Sequence, residues 1–388
     1  MPTDHFNSPR ALALSYISNA RFHRRFNLPA TTDHDALTIT YADTGSIPNP
    51  TNPKPPSILF MPGMFASRYL GIFMHAIAEK MGVRVVIVDR PGMGHSTDVP
   101  LHQRIPIWIE LVPQLLAHLG IEHVALVSHC AGTIYLLNTL FYCREILHPE
   151  RPFVAFLAPW VNPSRSHIIS MQMAQYVPSK AFGVWHLIPK FLLLKASPAF
   201  ASSGIVVTKA SNVISSGIGG DGENNSMEIG KNRRCIEKDY GLSWDVQAEL
   251  DGLVMKFMFE ENTVGANSEA LQCLRKGSDG GKTWGKCEDY EVYVRELVTL
   301  ERSRYEGGAG QLKVRAYFAG NDSMIGKKGQ EYVEECWGGK EGTGAFEDVL
   351  NFESTTFAEL EHDSLLQSAA VLESVFHHSG GIPVDRLE

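Results

Sequence analysis

Three short apolar runs punctuate the first third of the chain: SILFM at 57–61, VRVVIVD at 83–89 and VALVS at 124–128. Hydrophobic residues follow one another in these runs without alternation, the pattern of strands buried on both faces. The stretches between and after them, 67–80, 105–119 and 131–147, space their apolar residues at helical intervals. A fourth apolar run, FVAFLAPWV, follows at 153–161. Upstream, ALTITYADTG at 36–45 alternates as a half-buried strand does, and the Pro- and Asn-rich SIPNPTNPKPP at 46–56 is a loop. Strands that alternate with helices predict right-handed crossovers, hence an α/β fold with a mostly parallel central sheet and helices on both faces.

The rhythm breaks near residue 165. Helical pieces and loops occupy 165–310, among them the Gly- and Asn-rich SSGIGGDGENNS at 215–226. It resumes with LKVRAYFAGND at 312–322, a helix at 327–337, a strand near 347–352 and a final helix at about 363–377. The pattern predicts an N-terminal arm at 1–35, a discontinuous core at 36–164 and 311–388, and a mainly helical insertion at 165–310.

Composition narrows the possibilities. The 388 residues exceed the usual size of one core, and 44% hydrophobic content is ordinary for a folded protein. A formal charge of −8 argues against nucleic acid as a partner, because phosphate contacts need clustered Lys and Arg. The basic RFHRRF at 21–26 is too short to change that and reads as solvated surface. Six cysteines lie scattered, with no C-x-x-C pair and no zinc spacing, which suggests free thiols in a reducing compartment. The first residues lack a basic segment followed by a long apolar core, so no signal peptide is read. The apolar stretches at 108–119 and 181–195 fall short of a membrane span. A cytoplasmic protein is the expectation.

The candidate chemistry lies in the turns that follow the apolar runs. In LVSHCAGTIYLL (126–137), a strand meets a helix at Cys130, with the small Ala131 and Gly132 beyond it. A residue on such a sharp turn projects from the carboxyl edge of the sheet, and the amides opening the helix would favour an anionic sulfur and an oxyanion. His129 is adjacent in sequence but would point elsewhere. FMPGMFASRYL (60–70) turns at Gly63 and could offer the Met64 N–H to an oxyanion, paired with the Ala131 N–H. DRPGMGHS (89–96) reads as a structural turn. Asp322 closes a strand in AYFAGNDSMIG (316–326), and His362 stands at the start of a helix in FAELEHDSLLQ (357–367). Cys130, Asp322 and His362 thus follow one another in the chain order nucleophile, acid, base.

Together these motifs resemble the α/β-hydrolase superfamily over roughly 36–165 and 310–388. The P-G-M turn is similar to its oxyanion loop, with Pro62 in the histidine position, and DRPGMGHS is similar to its D-x-x-G-x-G-x-S turn. SHCAG resembles G-x-S-x-G, with Ser128 for the first Gly and Cys130 for Ser. The resemblance implies a lid in the 165–310 insertion. Dienelactone hydrolases of this superfamily also carry Cys at the elbow, although the helical insertion is unlike their compact form.

These residues point to a cofactor-independent hydrolase of esters, lactones or thioesters, with Cys130 as nucleophile, His362 as base, Asp322 orienting it, and Met64 and Ala131 N–H groups as the oxyanion hole. Cysteine does not suit epoxide or haloalkane opening, for which an elbow Asp would be expected. Neither cofactor nor metal is implied. GIGGDG at 217–222 spells a dinucleotide motif but lacks the apolar helix after it, and GSDGGKTWG at 277–285 has Lys276 where a phosphate loop needs Gly. Large apolar residues in the insertion, among them Phe182, Val184, Trp185, Leu187, Phe191, Leu192, Leu193, Val254, Met255, Phe257, Met258 and Phe259, favour a small apolar acyl or aromatic substrate, with Trp160 lining the cleft. Three alternatives stay open: an acyltransferase, a non-catalytic ligand-binding or interaction protein of the same fold, and a lyase using His362 alone.

Overall fold

In the computed structural model the described residues are 8–189, 222–277, 282–308, 310–339 and 346–382. The strands are β1 (Arg24–Leu28), β2 (Leu37–Gly45), β3 (Ser57–Met61), β4 (Arg84–Val88), β5 (Ala125–His129), β6 (Phe153–Leu157), β7 (Leu312–Asn321) and β8 (Leu350–Glu361). They form one sheet in the order β1-β2-β4-β3-β5-β6-β7-β8. β2 runs against both its neighbours; every pairing from β4 to β8 is parallel.

All five residues of β3, β4, β5 and β6 are buried, which is why each reads as an unbroken apolar run. The helices are α1 (Pro9–Ile17), α2 (Gly71–Lys80), α3 (Arg104–His118), α4 (Gly132–Tyr142), α5 (Pro163–Ser166), α6 (Ile169–Ala174), α7 (Gly222–Tyr240), α8 (Trp244–Glu260), α9 (Gly265–Cys273), α10 (Tyr290–Glu306), α11 (Gly326–Gly338) and α12 (Ala369–His378). In one layer α2 packs on β2 and β4 and meets α7 and α12. In the other, α4 packs on β3 and β5 beside α3, and α10 lies against α11.

Several boundaries differ from the sequence reading. Residues 24–28, expected within the arm, form edge strand β1 and pair with β2. The run at 153–161 is a strand only to Leu157, because Ala158 turns with φ 43°. The strand expected near 347–352 continues to Glu361. His362 therefore follows a strand, where a helix start was expected, and a 3-10 turn at Asp363–Leu366 separates it from α12.

The described part of 165–310 supplies α6 to α10 and is anchored by polar contacts. At the end of α8, Glu261 takes both ends of the Arg68 guanidinium, each at 2.7 Å, and Arg68 also pairs with buried Asp89 at 2.7 Å. On α10, the Tyr293 hydroxyl donates to the Leu137 carbonyl at 2.7 Å, and Tyr290 donates to that of Trp160 at 2.6 Å. Glu301 pairs with buried Arg144 at 2.8 and 2.9 Å. Asp289 caps α10 at the Val292 N–H, as its position before the helix suggests. Phe191, Leu192, Leu193 and almost all of the GIGGDG stretch lie outside the described residues, as do 278–281 of GSDGGKTWG.

Candidate active site

Cys130 stands between β5 and α4 with φ 47°, a left-handed conformation that costs a non-glycine residue roughly 1–2 kcal/mol. The surroundings hold it there. Its N–H donates to the Leu157 carbonyl at 3.1 Å, and its own carbonyl accepts from Thr133 at 3.0 Å and Trp160 at 3.2 Å. Gly132 is required at the next turn: a Cβ there would lie 2.0 Å from the Met61 carbonyl oxygen. Ser128, in place of a smaller residue, is accommodated in full burial with its hydroxyl 3.4 Å from that of Thr133.

The oxyanion-loop candidate crosses directly over this turn. A Cβ on Gly63 would be 3.2 Å from that of Cys130 and 2.8 Å from His129 Nδ1. The backbone then turns at Phe65, φ 64°, whose ring packs 5.9 Å from Phe259 of the insertion. Among the described residues, neither the Met64 N–H nor the Ala131 N–H donates a hydrogen bond.

Asp322 and His362 come together from the ends of β7 and β8. His362 Nδ1 lies 2.8 Å from Asp322 Oδ2, while Asp322 Oδ1 accepts the backbone N–H groups of Met324 and Ile325, both at 2.8 Å. Burial works against the charged Asp322 carboxylate, yet the His362 charge and these hydrogen bonds hold it below the usual range. Burial likewise opposes a charged His362. The Asp322 carboxylate, then Cys130, outweigh it and raise the proton affinity of the ring well above that of an ordinary histidine. His362 Nε2 is buried with no hydrogen-bond partner among the described residues. The structure thus brings Cys130, His362, Asp322, Met64 and Ala131 to one end of the sheet.

Two features differ from the sequence reading, which had His129 pointing elsewhere and did not foresee the partner of Arg90. His129 is buried with its ring 4.8 Å from that of His362 and its Nε2 3.2 Å from the His362 carbonyl. Burial, then the neighbouring His362, push its pKa down to about 4, so it is a neutral packing wall beside His362. The second is a buried cluster. Arg90, from the turn read as structural, forks onto Glu269 of α9 at 2.6 and 2.9 Å, and Arg104 reaches the same carboxylate at 3.0 Å. All three residues are at most 1% exposed. Glu269 lies 179 positions from Arg90, and isolated charges give no sequence signal that they will be buried together.

Residues from the 165–310 stretch pack against Met64 at this end. Phe182, Ala270 and Leu274 form an apolar cluster against which Met64, Trp185 and Leu271 pack. Val184 and Leu187, expected to belong to such a face, are instead about half exposed, at 56% and 48%. Trp160 is buried beside Cys130 and donates its indole N–H to the Cys273 carbonyl at 3.2 Å. No helix among the described residues is long and apolar enough to cross a membrane.

The sequence matches no protein-family model and no curated protein. Solved structures do resemble it. MGS-M2, an α/β-hydrolase enzyme from a Medee basin deep-sea metagenome library, is 13% identical with a TM-score of 0.50, over 91% of this chain and 97% of that one. A mutant of DBJA is 12% identical with a TM-score of 0.50, over 94% and 100%. With its strand order, its parallel pairing and the strained turn after β5, the chain has the α/β-hydrolase fold.

Proposed function

We propose that this protein is a cofactor-independent hydrolase that cleaves ester-type bonds, in esters, lactones or thioesters, through an acyl thioester on Cys130. The observation that carries this reading is the left-handed Cys130 turn beside the His362–Asp322 pair. Left-handed strain clusters where a side chain is held for function, and packing alone does not call for it at a cysteine.

In the first half-reaction the Cys130 sulfur attacks the carbonyl carbon and His362 takes up the thiol proton. The oxygen becomes an oxyanion between the Met64 and Ala131 N–H groups. Collapse breaks the ester bond, and His362 returns the proton to the departing alcohol or thiol. In the second half-reaction water loses a proton to His362 and attacks the thioester. Cys130 leaves, is reprotonated, and the carboxylic acid is released. Asp322 keeps the His362 ring in register and stabilises its charged form. If an alcohol or amine replaces water, the same intermediate gives acyl transfer. The insertion acts as a lid, and the apolar contacts of Met64, Phe182, Trp185, Ala270 and Leu274 favour an apolar acyl or aromatic substrate.

The test is intact mass after mixing with a short activated ester. A single transient acyl adduct is expected on the wild type, absent from Cys130→Ala and slowed at least about 100-fold in His362→Ala. Labelling indifferent to His362 would remove the catalytic reading and leave a ligand-binding protein of this fold.

A further inference from the structure

Arg90 does more than neutralise Glu269. Its Nη2 donates to the Gly63 carbonyl at 2.7 Å, and its Nη1 donates to the carbonyl of Pro62. The Gly63 carbonyl is pinned a second time by the Ala66 N–H at 3.1 Å. In a planar trans peptide the C=O and the following N–H point in opposite directions. Holding the Gly63 oxygen on Arg90 therefore aims the Met64 N–H away from Arg90. In the same way, the grip on Pro62 orients the Gly63 N–H. The guanidinium is fixed in turn: Glu269 takes it in a two-point fork, and its carbon lies 5.2 Å from the centre of the Tyr135 ring. Arg104 shares the Glu269 carboxylate and donates to the Tyr135 hydroxyl at 3.1 Å, and that hydroxyl donates to Gln272 of α9 at 3.1 Å.

The helix that carries Glu269 belongs to the insertion. It is seated on the DRPG turn through the Gly265 N–H, which donates to the Gly92 carbonyl at 2.9 Å. A Cβ on Gly265 would lie 2.2 Å from the Pro91 carbonyl oxygen, so the helix start and the turn fit without spare room. One route of buried hydrogen bonds thus runs from α9 through Glu269 and Arg90 to the peptide that presents the Met64 N–H.

We propose that Glu269 and Arg90 are positioning residues for the oxyanion hole, so that seating the insertion on the core sets the direction of the Met64 N–H. This rests on the reading of Cys130 as an acylated nucleophile. Neither residue touches the reacting atoms. Their effect falls on the step that builds an oxyanion, and not on the reactivity of the thiol.

Two reagents separate these. Acylation by an activated ester passes through an oxyanion. Alkylation by iodoacetamide displaces iodide at a tetrahedral carbon and does not. Both are followed by mass at the Cys130 peptide in wild type, Glu269→Gln and Arg90→Lys, with Cys130→Ala as background. A lost oxyanion donor costs about 100- to 1000-fold in related chemistry. Acylation is accordingly expected to fall roughly 10-fold or more in Glu269→Gln and about 100-fold in Arg90→Lys, whose compact ammonium has too few donors for the four hydrogen bonds that the planar fork makes. Alkylation should stay within about twofold, as should KM, since ground-state binding is untouched. Acylation unchanged in both variants, or acylation and alkylation falling together, overturns the proposal. Should Glu269→Gln not fold, Glu269→Asp carries the same comparison, because it keeps the charge but shortens the fork. A wild type that alkylates at Cys130 yet never acylates would instead sink the hydrolase reading itself, and the positioning role with it.

Discussion

Cys130 and Asp322 were legible in the sequence because each follows an apolar run, where the fold leaves a side chain at the sheet edge; His362 was found by its place in the chain order, although the element before it was misread. Arg90 and Glu269 were not, since a charged residue carries no mark of the partner that will bury it. The left-handed backbone at Cys130 has a sign that can be measured. At φ 47° glycine is favoured over alanine, the reverse of an ordinary site. Cys130→Gly is expected to be more stable than Cys130→Ala by about 1 kcal/mol in chemical denaturation; the opposite order would mean the turn is relaxed. The His362–Asp322 pair predicts a pH window. His362 has a folded pKa raised above 6.5, so its contribution is complete below that value and is lost as pH rises through the raised one. Asp322 has a folded pKa below 3.8, so its contribution is present above that value and is lost as pH falls through the lowered one. The stability gap between wild type and Asp322→Asn should therefore be widest between about pH 4 and 6.5 and narrow on either side.

At the scale of elements, burial decided what could be read. β3 to β6 show as apolar runs because both faces are covered. The edge strands do not: β1 is RRFNL with its first residues exposed, and the second half of β8 has no buried residue. Hence β1 was taken for an arm, β8 was cut short, and His362 was assigned to a helix. α10 returns the chain from the insertion to the core, and the Arg144–Glu301 pair, 6% and 2% exposed at the side chains, fastens it. Glu301→Leu leaves the Arg144 charge buried and uncompensated, and should cost about 3–5 kcal/mol in urea titration. The double change Arg144→Met with Glu301→Leu should recover most of that, because an apolar pair of similar volume needs no counter-charge.

At the scale of the whole molecule, the long gap between β6 and β7 was visible as a break in the βαβ rhythm. The way the insertion is wired to the core was not, because it depends on contacts between distant, chemically ordinary residues such as Arg68 with Glu261 and Arg90 with Glu269. The same gap has a consequence in time. β6 ends at Leu157, and the strand that pairs with it, β7, begins at Leu312, so the 154 residues from 158 to 311 must be made first. At about 5–20 residues per second the ribosome needs roughly 8–30 s for that stretch. Throughout it the nascent half-sheet ends in FVAFL, an apolar strand whose open edge has no partner yet. The chain is most vulnerable to misassociation during synthesis, in the interval between its two halves, and least so once β7 has closed the edge.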